Sequence, residues 1–71
     1  MPDKTFDLEG LEFIELNKLL KLLRLVNSGG EANLFIDQGE VYVNGVVETR
    51  RRRKLRNGDV ISFLNSSVQI N

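Results

Sequence analysis

The sequence of 71 residues contains no cysteine, no histidine and no tryptophan, and it has a single proline. Without cysteine no disulfide can brace the fold, and without cysteine or histidine the usual ligands of a structural zinc site are missing. The same two absences exclude nucleophilic catalysis based on histidine or cysteine. We therefore expect no enzymatic activity, no metal ion and no cofactor.

Long apolar runs are also missing. No stretch approaches the roughly 20 apolar residues that cross a bilayer, and residues 1–4 lack the features of a signal peptide. Apolar side chains nevertheless make up 41% of the chain, which is enough for one small core. We expect a single domain over residues 1–71, a soluble cytoplasmic monomer without a membrane partner, whose task is to bind something.

Charge is balanced overall but segregated along the chain. Ten basic and ten acidic residues cancel, yet residues 1–17 and 31–49 each carry a net charge of −4. Residues 18–30 carry +3 and residues 50–58 carry +6, with no acidic residue in either segment. Because salt screens charge over about 8–10 Å, a polyanion responds to such local blocks more than to the total.

The first half of the chain shows a strand pattern and then a helical one. Alternation predicts a short strand over residues 5–8, and a 3.6-residue apolar period predicts a helix over about 13–26. Lys18, Lys21 and Arg24 fall on the flank that the apolar stripe leaves free. This flank is either an ordinary solvated helix face or part of a binding surface.

A second helix is predicted to begin at Ser28. Ser28 and Glu31 have the spacing of a capping box, in which the carboxylate returns to the amide of the cap residue. The helix is expected to run to about Gln38, where Gly39 provides a left-handed stop. Ser28 is therefore either a cap or a ligand contact, and it can serve as both.

The second half of the chain reads as short strands joined by turns. Asn44 and Gly45 between valines are the strongest short signal for a hairpin, because both central residues must take a positive φ. The return strand is expected over 46–49, followed by strands over 60–63 and 68–70. The sequence thus predicts an α+β fold: an N-terminal strand and a two-helix hairpin packed on a small, curled, mainly antiparallel sheet.

Four segments, in unbroken order, carry a family resemblance; they read LNKLLK (16–21), SGGEA (28–32), IDQGEVYVNG (36–45) and GDVI (58–61). Over residues 16–63 the chain resembles the S-four RNA-binding domain, named after a small-subunit ribosomal protein, in its small stand-alone bacterial form. The resemblance implies an αL motif, in which structured RNA of the ribosomal or transfer class lies across the two helices and the hairpin edge. Association with ribosomal particles is part of that expectation.

The resemblance also implies which side chains meet the RNA. The matching polar positions include Lys18, Lys21 and Ser28, and the basic stretch after the hairpin matches the stand-alone relatives best. Gly29 and Asn33 stand where many family members have cations, so the affinity is expected to shift toward the basic stretch. Together with Arg24, the expected RNA-binding residues are Lys18, Lys21, Arg24, Ser28, Arg50, Arg51, Arg52, Arg53, Lys54 and Arg56.

The run of arginines has a structural alternative. In an extended strand, Arg50, Arg52 and Lys54 would face one side and Arg51 and Arg53 the other, so one set could be solvated or guard a sheet edge. Phosphate binding is the preferred interpretation, since the guanidinium fork matches phosphate oxygens. It requires that the two basic segments share one side of the molecule and that the carboxylates lie elsewhere.

Other functions are compatible with parts of the sequence. The basic stretch could dock an acidic protein, with RNA binding incidental, or bind DNA by the same electrostatics. Asp37, Glu40 and Glu48 could be paired carboxylates, but no nucleophile or pocket signature accompanies them. The few aromatic residues lie mostly in apolar patterns, which favours recognition of folded RNA by shape and phosphates over base stacking.

Overall fold

The structure is a computed structural model that describes residues 2–71. Two short helices and seven short strands make up this part of the chain. In chain order they are β1 (Lys4–Phe6), β2 (Ile14–Glu15), α1 (Leu16–Leu22), α2 (Gly29–Asp37), β3 (Val41–Val43), β4 (Val46–Val47), β5 (Lys54–Leu55), β6 (Val60–Phe63) and β7 (Ser66–Ile70). The predicted α+β class is confirmed.

The sheet and the two helices share one core. Five strands form a sheet in the order β1-β7-β6-β3-β4, which is antiparallel except for the parallel pair β1 and β7. Its inward side chains, such as Val41 and Phe63, pack with Leu19 and Leu20 of α1 and Ile36 of α2. Strands β2 and β5 form a separate antiparallel pair.

The first helix is shorter than predicted at both ends. Ile14 and Glu15 are extended because they pair with β5, so the apolar side chain of Ile14 enters the core from a strand. At the other end Arg24 adopts a left-handed φ of 58°, and the amide of Leu25 donates to the carbonyl of Leu20 at 3.0 Å. This is a Schellman-type stop made by a residue other than glycine, and it places Arg24 beyond the helix.

The second helix begins and ends where the sequence indicates. The Ser28 hydroxyl accepts a hydrogen bond from the Glu31 amide at 3.1 Å, and Gly39 has a left-handed φ of 76°. The reciprocal half of the predicted capping box is wrong by one residue. The Glu31 carboxylate accepts from the amide of Asn27, not from that of Ser28.

The hairpin turn is confirmed and is tied to a second turn. Asn44 and Gly45 have φ values of 53° and 82°, as a primed turn requires. The side-chain amide of Asn44 donates to Asp59 at 3.0 Å, and its oxygen accepts from the amide of Val60 at 2.9 Å. These bonds join the β3–β4 turn to the start of β6.

The arginine run is a loop and not the predicted strand. The return strand of the hairpin ends at Val47, and regular pairing resumes only at Lys54. Between them the amide of Arg53 donates to the carbonyl of Arg50 at 3.2 Å, which closes a turn. We call residues 50–53 the arginine loop. Their side chains therefore do not alternate between the two faces of a sheet.

Within residues 2–71, no helix combines the length and the apolar character that a bilayer crossing requires.

Candidate nucleic-acid interface

The fold brings the arginine loop against the start of the lysine-bearing helix. The carbonyl of Arg53 accepts from the amide of Leu16 at 2.9 Å, and that of Arg51 accepts from the amide of Asn17 at 3.0 Å. Both donors lie in the first turn of α1, where amides lack partners within the helix. Lys18 follows directly on the exposed side. The arginine loop therefore lies beside the residue that precedes Lys18. That the cations of the two basic segments share one RNA-binding face stays a prediction.

The arginine loop also contacts the end of the second helix. The Arg51 guanidinium binds the carboxylate of Asp37, the last residue of α2, with Nε 3.0 Å from Oδ1. The two helices are linked in turn by a hydrogen bond of 3.2 Å between the Asn17 and Asn33 side chains. One surface therefore runs from α2 across the arginine loop to α1.

The buried carboxylate of Glu48 holds the arginine loop through hydrogen bonds to Arg50 and Arg53. Glu48 is 7% exposed. Its oxygens accept from the Arg50 amide at 3.0 Å, from Arg50 Nε and Nη2 at 2.9 and 3.0 Å, and from Arg53 Nη1 at 2.7 Å. The hydrogen bonds from Arg50, with that from Arg53, outweigh the burial and lower the pKa of Glu48 from 4.5 to about 2.

The expectation that the carboxylates lie elsewhere is wrong. Four of the six cations in segment 50–58 face a carboxylate of the acidic segments: Arg50 and Arg53 pair with Glu48, Arg51 with Asp37, and Arg56 with Glu12. Glu12 and Asp37 are distant from the basic run in sequence and Glu48 precedes it, yet all three contact it in the fold. The net charges of sequence segments do not contain this information. The requirement that the sequence sets for phosphate binding is therefore not met by these four cations, and the excess positive charge comes from the cations without a carboxylate partner.

Five cations of the predicted set keep their charge free. Among residues 2–71, no carboxylate oxygen lies within 4.0 Å of Lys18, Lys21, Arg24, Arg52 or Lys54. All five residues are exposed. Lys18 and Lys21 share the outer face of α1, whereas Arg24 lies in the turn that follows and not on the predicted helical flank. Ser28 is exposed, and its hydroxyl already serves as the cap.

Phe13 links the basic loop region to α1. The Nζ of Lys54 lies 5.0 Å from the centroid of its ring, and the guanidinium carbon of Arg56 lies 5.6 Å away. Both distances are within the range of cation–π attraction. Phe13 and Lys18 also line one open cavity of about 490 Å³, beside Leu22. Phe13 therefore contacts Lys54 and Arg56 and also lines the cavity that Lys18 borders.

Sequence reasoning missed the part that carboxylates play in this site. Glu48 and Asp37 were considered only as catalytic groups, although Glu48 lies two residues before Arg50. That spacing of two residues could have indicated the ion pair, because a carboxylate at position 48 can bind both the guanidinium and the backbone amide of Arg50. Within residues 2–71, no group of His, Cys, Asp and Glu side chains has a geometry that could hold a metal ion.

Comparison with known proteins gives a consistent result. The sequence model of the S4 domain matches residues 6–71. The "Putative RNA-binding protein YbcJ" of Escherichia coli (strain K12) is 44% identical over 66 residues, covering 93% of this chain and 94% of that protein. The "Probable ribosome maturation protein RlbA" of Bacillus subtilis (strain 168) is 46% identical over 52 residues, which is 73% of each chain.

A solved structure supports the same assignment. The fold superposes on the solution structure of YbcJ from E. coli with a TM-score of 0.73 and 41% identity, covering 99% of this chain and 89% of the other. That structure is described as revealing an αL motif involved in RNA binding. The αL arrangement corresponds here to α1, α2 and the hairpin beside them. The chain therefore belongs to the S4 domain family.

Proposed function

We propose that this protein is a non-enzymatic RNA-binding domain that grips structured RNA of the ribosomal or transfer class. The observation that carries the proposal is the docking of the arginine loop on the first turn of α1, through the Leu16–Arg53 and Asn17–Arg51 backbone bonds. This contact brings the arginine loop next to Lys18, which supports a single binding surface formed by the two basic segments. We further propose that the protein acts as a cytoplasmic monomer, in association with ribosomal particles.

The free cations set the expected strength of the electrostatic contribution. Each phosphate neutralised by a lysine or arginine releases counterions, so the logarithm of the association constant falls with the logarithm of salt concentration. If the five unpaired cations each meet one phosphate, the slope is about −3.5 to −4.5. Arginines already paired with carboxylates contribute less to this slope, since contact with a phosphate must then replace or share an existing ion pair.

The relatives favour RNA over other polyanions. One is named for RNA binding and another for ribosome maturation, and the solved relative is described by an RNA-binding motif. Exposed aromatic side chains are scarce beside the cations of the proposed surface, where Phe13 is half-buried. Such a surface suits recognition of phosphate positions and backbone shape in folded RNA.

Competition binding tests the proposal. Structured RNA, duplex DNA of matched length and heparin are titrated against the protein at physiological salt, with a labelled RNA hairpin as the reporter. Displacement by the structured RNA at concentrations well below those of DNA and heparin is expected. Equal displacement by all three would reduce the protein to a generic cation exchanger and refute the proposal.

Two variants locate the surface. Replacing Lys18 and Lys21 together by glutamine removes two free cations and is expected to make the salt slope shallower by about 1.4–1.8. The control is Lys4→Gln, because Lys4 is an exposed lysine whose ammonium group already pairs with Asp3 at 3.3 Å. The control is expected to bind RNA like the wild type. Equal effects of the two changes would remove α1 from the interface.

A second candidate function rests on one apolar feature. Leu11 and Leu22 are 63% and 55% exposed and lie beside Lys18 in the cavity that also contains Phe13. Exposed leucines next to a cation suit an acidic protein partner. If protein binding is the main function, Leu22→Ser abolishes binding of the protein partner while RNA binding stays unchanged. If RNA binding is the main function, Lys18→Gln reduces the amount of RNA bound in cells more than Leu22→Ser does.

A further inference from the structure

Four cations of the arginine loop and its neighbour line an open depression of about 430 Å³: Arg50, Arg52, Arg53 and Lys54. The only carboxylate paired with any of them, among residues 2–71, is Glu48. The depression therefore keeps a net positive charge of three. We call these four residues the cradle.

Glu48 holds the guanidinium groups of Arg50 and Arg53, two of the four cradle residues, before any ligand arrives. It occupies Nε and Nη2 of Arg50 and Nη1 of Arg53, so Nη1 of Arg50 and Nη2 of Arg53 remain without a protein partner there. The backbone is fixed as well, because the amide of Arg50 binds the same carboxylate and the carbonyl of Arg53 binds α1. Side chains that are already ordered lose less entropy on binding.

The other two cations complete the cradle without any such restraint. Arg52 has no hydrogen-bond or ion-pair partner among residues 2–71, and Lys54 contacts only the Phe13 ring face through its ammonium group. Guanidinium groups with free N–H donors match the two non-bridging oxygens of a phosphate. The depression is open to solvent, so the linked phosphates of an RNA backbone can enter it.

We propose that the cradle is a preorganised site for adjacent phosphodiester groups of the bound RNA backbone, with Glu48 as its positioning residue. The inference rests on the proposed RNA-binding function and adds to it a defined subsite. A buried acidic residue thereby promotes the binding of an anion. It does so because it orients Arg50 and Arg53, although its own charge repels the phosphate.

This assignment predicts a change in RNA affinity opposite to the one expected from net charge alone. Glu48→Gln removes one negative charge from beneath the cradle, so an interface governed by total charge would bind RNA more tightly and with a steeper salt dependence. If Glu48 positions the arginines, the same change weakens binding about tenfold, and the salt slope becomes shallower because one phosphate contact is lost.

The test measures binding of a labelled RNA hairpin by fluorescence anisotropy at several salt concentrations. The full-length wild type, Glu48→Gln, Arg52→Gln and the control Lys4→Gln are compared, and each fold is checked by circular dichroism. Arg52→Gln is expected to weaken binding about tenfold and to reduce the slope by about 0.7–0.9, without loss of folding, because Arg52 has no protein partner. Lys4→Gln is expected to change affinity less than twofold.

The outcomes separate the two proposals. If the wild type does not bind the hairpin in preference to duplex DNA, both the proposed function and the cradle are refuted. If the wild type binds but folded Glu48→Gln binds equally or more tightly, only the cradle is refuted. If Glu48→Gln fails to fold, Arg52→Gln decides: an effect no larger than that of Lys4→Gln overturns the cradle.

Discussion

The buried carboxylate of Glu48 makes a specific prediction about folding stability. We consider the variant Glu48→Gln, which keeps the size of the side chain but removes its charge. In the wild type this carboxylate is 7% exposed and accepts bonds from Arg50 and Arg53, which lower its pKa from 4.5 to about 2. The variant leaves Arg53, whose side chain is 29% exposed, without its charged partner.

The size of the effect follows from the pKa. A fall from 4.5 to about 2 corresponds to about 3 kcal/mol in favour of the ionised form in the folded state. The Arg50 side chain is 70% exposed, so solvent screens its attraction, and we expect a net loss of about 1–2 kcal/mol in the variant. For a domain of this size that loss lowers Tm by about 4–16 °C.

The dependence on pH distinguishes this cause from a general packing defect. Because the pKa of Glu48 is lower in the folded protein, its contribution is fully present above about pH 4.5. The contribution decreases as the pH falls and is mostly lost near pH 2. The difference in unfolding free energy between wild type and variant should therefore be largest at neutral pH and shrink toward zero near pH 2. The lowered pKa values of Asp3 and Asp37 affect both proteins alike.

Urea unfolding followed by far-UV circular dichroism measures this difference, since the chain has no tryptophan. Glu40→Gln is the matched control, because Glu40 is exposed and has no cation within 4.0 Å among residues 2–71. It should change stability by less than about 0.5 kcal/mol at any pH. A difference between wild type and Glu48→Gln that stays constant from pH 7 to pH 2 would refute the ion-pair explanation.

Three further substitutions test other features of the fold. Arg24→Gly should raise the unfolding free energy by up to about 1 kcal/mol in a urea titration, since Arg24 has a φ of 58°; no gain would argue against the left-handed helix stop. Ser28→Ala should cost about 1 kcal/mol, measured as a lower Tm, because the cap bond to the second helix is lost. Ile36→Ala should lower the unfolding free energy by about 2–5 kcal/mol, because the side chain is buried. Leu34→Ala in the same helix should lower it by less than about 1 kcal/mol, because that side chain is 52% exposed. Equal losses of unfolding free energy would contradict the assigned inner face of α2.

Local signals in the sequence account for much of the fold. The Asn44–Gly45 turn, the cap at Ser28 and the stop at Gly39 depend on side chains and φ values that a few neighbouring residues determine. These features were predicted correctly for that reason. The strands expected over 60–63 and 68–70 correspond to β6 and β7, in which buried apolar side chains alternate with more exposed ones.

The ends of α1 show where local signals fail. Residues 13–26 keep a helical apolar period, yet Ile14 and Glu15 pair with Lys54 and Leu55 as strands. Hydrogen bonds to a segment some 40 residues away outweigh the local preference, and periodicity carries no information about that partner. The left-handed conformation of Arg24 is equally hidden, because arginine has no preference for it.

The candidate site divides in the same way. The lysines on α1 and the basic run were identified from residue type and order, and so was the family to which they point. The conformation of the basic run was not predicted, because its loop is held by ion pairs with Glu48 and Asp37. Only the folded chain brings these residues together.

The sequence by itself determined that this is a small α+β domain with two basic segments and without cysteine or histidine. Tertiary structure alone decided which of the cations stay free and which are held by carboxylates. The physical reason is distance: charge interactions depend on separations of a few ångströms in space, and separation along the chain does not fix those.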